Sequence, residues 1–132
     1  MIVVIGGGPA GRYAAMRLSG AGKKVRLVEK RSAGVGGQCL HQGCMTICAL
    51  NDVARLMDQA RGFQSLGILG PISEFSYESL IHRMQETIRI IAGVLEQETV
   101  QAGVEIIHGS AEIQGSSLLI DGVETPADAI II

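Results

Sequence analysis

The sequence predicts an α/β fold: a parallel sheet with crossover helices, followed by a small antiparallel β-meander. Three observations carry that reading. The first 28 or so residues run apolar strand, glycine turn, helix, apolar strand. The middle holds a long stretch of apolar residues spaced by three and four, and the tail changes to short apolar runs with a hairpin signal.

Ile2–Ile5 is a continuous apolar run, Gly6-Gly7-Gly8 interrupts it, Pro9–Ser19 reads as helix, and Val25–Val28 is a second apolar run. This is the length of a βαβ unit, in which one crossover helix joins two parallel strands. Strands without polar alternation are expected to be covered on both faces. Ser32–Gly37 reads as a glycine-rich loop leading into a helix from about Leu40 to Gln59, with Cys44 and Cys48 on it and Cys39 at its mouth. Gly62–Gly70 reads as a loop.

Ser76 can cap a long helix whose apolar positions are Tyr77, Leu80, Ile81, Met84, Ile88, Ile91 and Leu95, and Gly103 ends it. Val104–Ile107, Ala111–Ile113 and Leu118–Ile120 are short strand candidates of the meander. Asp121-Gly122 is a two-residue hairpin signal. Ala129–Ile132 reads as another buried strand, and the sequence stops within it, so we expect a fragment.

A chain of 132 residues has the size of one domain and can bury a real core. Hydrophobic residues at 47% and charged residues at 18% place it among globular rather than disordered chains. The net charge of −2, with mixed signs along the chain, sets up no field for nucleic acid or anionic lipid. The aromatic residues, Tyr13, Phe63, Phe75 and Tyr77, are too few to make a stacking platform for single strands. No apolar run approaches the roughly 20 residues of a membrane span, and Met1–Ile5 is too short for a signal-peptide core, so a cytoplasmic location is expected. Three cysteines in such a chain point to thiol chemistry or metal rather than a disulfide framework.

Gly6-x-Gly8-x-x-Gly11 follows a strand and opens a helix, and Glu29 ends the second strand 18 residues beyond Gly11. Together these form the dinucleotide-binding fingerprint of a Rossmann-like unit. Gly6 makes the tight turn, Gly8 admits a pyrophosphate close to the backbone, and Gly11 lets helix and strand pack. The helix N-terminus supplies free N–H groups and a dipole for the anion. Glu29 can accept from a ribose hydroxyl pair. The glycines do not distinguish FAD from NAD.

Gly36-Gly37-Gln38-Cys39-Leu40-His41-Gln42-Gly43-Cys44 puts two cysteines five apart at a helix start. In regular helix their Cα atoms would be about 8.7 Å apart, beyond the roughly 7 Å that a disulfide spans. The first turn must be distorted if they pair, and Gly43 gives freedom for that. A thiol at a helix N-terminus has its pKa lowered, which favours exchange near neutral pH. Metal remains an alternative, since Cys39-x-His41-x-x-Cys44-x-x-x-Cys48 contains ligands suited to zinc or an iron–sulfur cluster. Its spacing matches no common zinc knuckle, and no metal is assigned. His41 is expected at solvent or the helix start, and His82 and His108 without a partner constellation.

The stretch from Gly36 to Cys44 resembles the signature of the class I pyridine nucleotide-disulfide oxidoreductases, among them dihydrolipoamide dehydrogenase, glutathione reductase and mercuric reductase. Their pattern is G-G-T-C-x-x-x-x-C followed by x-P-S-K. The glycine fingerprint and Glu29 also stand at this family's distances for FAD, so the resemblance extends from Met1 to the end of the chain. It implies a redox-active pair in which Cys39 exchanges with the disulfide substrate and Cys44 lies against the flavin as the charge-transfer thiolate. It also implies FAD contacts at Gly6, Gly8, Pro9, Ala10, Gly11, Glu29 and Lys30, at Gly37, Gln38 and Cys48, and near the adenine at Gly109-Ser110-Ala111. Electrons would run between NAD(P)H, FAD, the cysteine pair and a small-molecule or protein-bound disulfide or dithiol.

Two departures stand out. Thr46-Ile47-Cys48 replaces P-S-K, so Cys48 takes the place of the lysine expected near the flavin N5, either as a third thiol one turn beyond Cys44 or as a small buried hydrophobe. Gln38 replaces threonine. No second Gly-x-Gly-x-x-Gly occurs in the chain. The resemblance therefore implies that residues 1–132 are an incomplete FAD-binding domain, with the NAD(P) domain and the homodimerisation domain outside it. The alternative is a nucleotide-binding thiol redox sensor without turnover.

Overall fold

The computed structural model of the chain describes residues 1–72 and 74–132. The elements are β1 (Ile2–Ile5), α1 (Pro9–Gly20), β2 (Val25–Glu29), α2 (Gly37–His41), α3 (Cys44–Ser65), α4 (Tyr77–Gln101), β3 (Glu105–His108), β4 (Ala111–Gln114), β5 (Ser117–Ile120), β6 (Val123–Glu124) and β7 (Ala129–Ile131). A parallel sheet has the order β3-β2-β1-β7, and an antiparallel sheet has the order β4-β5-β6.

Successive side chains of a strand point to opposite faces, and that alternation creates two cores. Val4 and Leu27 join Ala15, Val25, Val35 and Val104 on the face covered by the helices. Val3 and Val28 join Leu118 and Ile120 on the face covered by the meander. The central strands are thus covered on both sides, as their apolar runs predict. Helices α1 and α4 are tied by Arg12, whose Nε donates to Leu95 O at 3.0 Å and Thr99 Oγ1 at 2.7 Å, and whose guanidinium pairs with Glu98 at 2.5 Å. Thr99 is fully buried, and its hydroxyl donates to Leu95 O at 2.6 Å, so no polar atom of that side chain is left unpaired.

Several expectations hold. Ser76 caps α4 by accepting from Ser79 N–H. Asp121 and Gly122, with φ of 50° and 78°, form the turn between β5 and β6, the doubly positive geometry of a tight hairpin.

Others need correction. The helix expected over Leu40–Gln59 is two helices, broken at Gln42-Gly43. A Cβ on Gly43 would lie 2.8 Å from Gln38 O, so the backbone can fold back onto α2 only because that residue is glycine. Cys39 consequently lies within α2, and Cys44 begins α3. The loop starts after Ser65, because Gly62 stays in the helix. β3 is not part of the meander. It pairs in parallel with β2, fastened by the fork of Arg26 on Glu105 at 2.9–3.1 Å. β7 pairs with β1 at the edge of the sheet, so Ala129 is exposed and Ile130 and Ile131 are half-buried rather than enclosed.

Candidate functional site

The glycine loop sits at the carboxyl end of β1. Gly6 N–H donates to Val28 O at 2.8 Å, which closes the turn against β2. A side chain on Gly11 would run into the carbonyl oxygen of Gly6, so the close helix–strand approach expected there is present. α1 begins with Pro9, has Gly8 as its N-cap, and has neither a capping side chain nor an acidic residue in its first turn. Its first N–H groups, including those of Ala10 and Gly11, are left for an anion.

Glu29 is 5% exposed. One carboxylate oxygen accepts from Gly7 N–H and the other from Arg31 N–H, both at 2.8 Å. Each oxygen keeps a further lone pair. Beside it, a cavity of about 210 Å³ is lined by Gly6, Glu29, Lys30 and Ala111, together with Ile5, Val28, Gly109 and Ser110. The wall at Gly109-Ser110 is positioned by Asp121, whose carboxylate accepts from Ser110 N–H at 2.8 Å. That role was not visible in the sequence, where Asp121 signals only a turn.

The second glycine loop docks on the first: Gly36 N–H donates to Gly7 O at 2.8 Å. This contact carries α2 to the first glycine loop. Cys39 and Pro9 line a second cavity of about 230 Å³ with Arg12, Gly36 and Leu40. Cys39 and Cys44 form a disulfide with Cα atoms 5.0 Å apart, closer than regular helix allows for residues five apart. The break between α2 and α3 makes that approach possible.

Gln38 faces outward and accepts from Arg31 at 2.9 Å. Cys48 is free and exposed, so it is not the buried apolar filler that the sequence also permitted. His41 is turned to the backbone, with Nε2 3.1 Å from Gly34 O and Val35 O. His108 does have a partner, Glu96 at 3.0 Å across from α4, and His82 lies 3.8 Å from Glu86. Both pairs are made by packing or helix spacing outside the glycine and cysteine motifs.

The residues fit a dinucleotide: uncapped N–H donors for a pyrophosphate, an anchored carboxylate with spare lone pairs, and a cavity beside it that reaches residues 109–111.

The sequence profile of the family described as pyridine nucleotide-disulphide oxidoreductase matches residues 1–132. Among curated relatives, a dihydrolipoyl dehydrogenase of Bacillus subtilis (strain 168) is 28% identical over 124 residues, which is 92% of this chain and 27% of the relative. A dihydrolipoyl dehydrogenase of Chlamydia muridarum (strain MoPn / Nigg) is 33% identical over 127 residues, 95% of this chain and 26% of the relative. Among solved structures, the HOCl-induced flavoprotein disulfide reductase RclA from Escherichia coli superposes with a TM-score of 0.77 at 26% identity, covering 98% of this chain and 27% of that one. The chain spans about a quarter of the length of these relatives.

Proposed function

Since the chain belongs to the pyridine nucleotide-disulphide oxidoreductase family, we propose that it is the FAD-binding part of an NAD(P)-linked, dihydrolipoyl dehydrogenase-like disulfide oxidoreductase. Residues 1–132 form an incomplete FAD domain in this reading, and the NAD(P) site lies in a part of the enzyme outside them. The observation that carries it is the disulfide between Cys39 and Cys44, brought to the phosphate loop by the contact of Gly36 with Gly7.

FAD, when bound, supplies two-electron chemistry next to the disulfide. The first N–H groups of α1, at Ala10 and Gly11, with the loop of Gly6, Gly8 and Pro9, would hold its pyrophosphate. Glu29 would take the ribose hydroxyls, and Lys30 and Ala111 would hold the adenosine side. Gly37 and Gln38 lead from the glycine loop to Cys39, and Cys48 follows Cys44 by one helical turn.

Reduced Cys39 attacks one sulfur of a substrate disulfide and expels the other as a thiolate. Cys44 then attacks Cys39 Sγ, releases the second substrate thiolate and restores the Cys39–Cys44 bond. The thiolates released take up protons, and the substrate gains the two electrons that the pair loses. A dithiol substrate drives the same steps in reverse. Cys44, first residue of a helix of 22 residues, stands where the helix dipole favours the thiolate. The substrate is a small-molecule or protein-bound disulfide or dithiol, the complete enzyme works as a homodimer, and its setting is the cytoplasm. No helix among the described residues is long and apolar enough to cross a membrane.

Thiol titration of the denatured, oxidised protein tests the pair: one reactive thiol per chain before reduction and three after. FAD titration of the same preparation should show one site per chain. Thiols that cycle without any consumption of pyridine nucleotide by the complete protein would favour the sensor reading instead.

A further inference from the structure

The cysteine cluster contains a thiol that the exchange steps above leave unused. Cys48 is free and exposed, one helical turn after Cys44 on the same helix. Residues four apart share a helix face, and their Cα atoms are about 6 Å apart on helix geometry, inside the range of about 4.4–6.8 Å that disulfides span. On its other side, Cys44 already bonds Cys39 across 5.0 Å between Cα atoms. Cys44 therefore stands between two cysteines whose backbones are both within bonding reach.

Side chains four apart in a regular helix hold their Cβ atoms about 5–6 Å apart, against about 3.8 Å in a disulfide. The first turn of α3 must therefore loosen for the second bond to form. This end of α3 is suited to that: it has no capping side chain, no acidic residue in its first turn, and no buried residue anywhere along its length.

We propose that Cys48 is a third exchange thiol. Its thiolate attacks Cys44 Sγ within the Cys39–Cys44 disulfide, forms a Cys44–Cys48 disulfide and expels Cys39 as a thiolate. One S–S bond forms and one breaks, the proton leaving Cys48 is taken up by Cys39 through solvent, and no oxidant or reductant is consumed. The oxidised protein is then a pair of disulfide isomers. In the second isomer Cys39 is a free nucleophile while Cys44 is occupied, so a substrate captured on Cys39 is not resolved by Cys44 and leaves only when the substrate thiolate it displaced attacks back. Cys48 thus regulates the proposed exchange site, and the inference rests on that reading in one respect: the Cys39–Cys44 bond must form.

The test uses three proteins. Oxidised wild type is quenched in acid and alkylated, and the label is located by fragmentation mass spectrometry. One label per chain, divided between Cys39 and Cys48, is expected; label on Cys48 alone overturns the proposal. The Cys39→Ser variant, with its helical circular dichroism checked, is oxidised with diamide. Loss of both thiols into an intramolecular Cys44–Cys48 bond is expected, and two alkylatable thiols, or disulfide-linked dimers only, overturn it. The Cys48→Ser variant isolates the premise: if it too lacks a Cys39–Cys44 bond, the exchange-pair reading fails rather than the role of Cys48.

Discussion

The β1–α1–β2 unit and the stretch from α3 to Phe75 are built on opposite terms. In the first, Val3, Val4, Ala15 and Leu27 are fully buried, and six of the nine residues of β1 and β2 lie in one of the two cores. In the second, α3 buries none of its 22 residues. Leu56, Phe63, Leu66, Ile68, Ile72 and Phe75 are each about half exposed or more. The glycine-loop end is therefore stabilised by its own packing, whereas α3 offers only a half-buried stripe that includes Leu50, Val53 and Met57. The cysteines lie where these two regimes meet. Cys39 is on the side docked to the first glycine loop, and Cys44 and Cys48 are on the loosely packed side.

The largest expected effect is on the packed region. Leu27→Ala removes a fully buried side chain and should cost about 2–5 kcal/mol, while Leu56→Ala should stay within about 0.5 kcal/mol. Urea unfolding of both variants measures the contrast, and equal losses would break it. Next, Glu29→Gln keeps the shape of the side chain but withdraws the charge from a ribose pair. FAD affinity, followed by flavin fluorescence, should fall about 10- to 100-fold, since hydrogen bonds to a charged group are worth about 1.5–3 kcal/mol. An unchanged affinity would remove Glu29 from the site.

Smaller again is the cap of α4. Ser76→Ala should destabilise by about 1 kcal/mol, read as a shift in the urea midpoint. The smallest effect concerns Asp128, whose carboxyl is held below its ordinary 3.8 by a hydrogen bond from the N-terminal ammonium and by the charge of that group. A lowered carboxylate pKa contributes stability above the unfolded value, and this is lost as the pH falls through the folded one. Asp128→Asn should therefore narrow the stability difference between neutral pH and pH below 3.8, and leave the rest of the profile unchanged.

Much of the packed region was legible because its signals are local. The apolar runs, the glycine spacing and Glu29 at the end of β2 each constrain their own few residues. What was not legible depended on contacts between segments. The break between α2 and α3 comes from Gly43 folding onto the Gln38 carbonyl, and helix propensity does not register that approach. β3 carries the same short apolar pair whether it joins the meander or the parallel sheet, and the choice is made by its pairing with β2 and by the Arg26–Glu105 fork. Asp121 as a brace for Ser110 and Glu96 as the partner of His108 likewise emerge only when distant elements pack. Within the site, the sequence located the cysteines and the distortion at Gly43 that their pairing needs, but not that it divides the helix in two. Their approach depends on a backbone reversal rather than on spacing.

The central claim is that Cys39 and Cys44 are a redox pair set against a flavin, and the visible absorption spectrum of the complete protein tests it most directly. After about one equivalent of dithiol per chain, the account predicts a flavin band that gains a long-wavelength thiolate-to-flavin shoulder, absent from the Cys44→Ser variant. A protein without flavin, or a flavin that bleaches with no such shoulder, would contradict it.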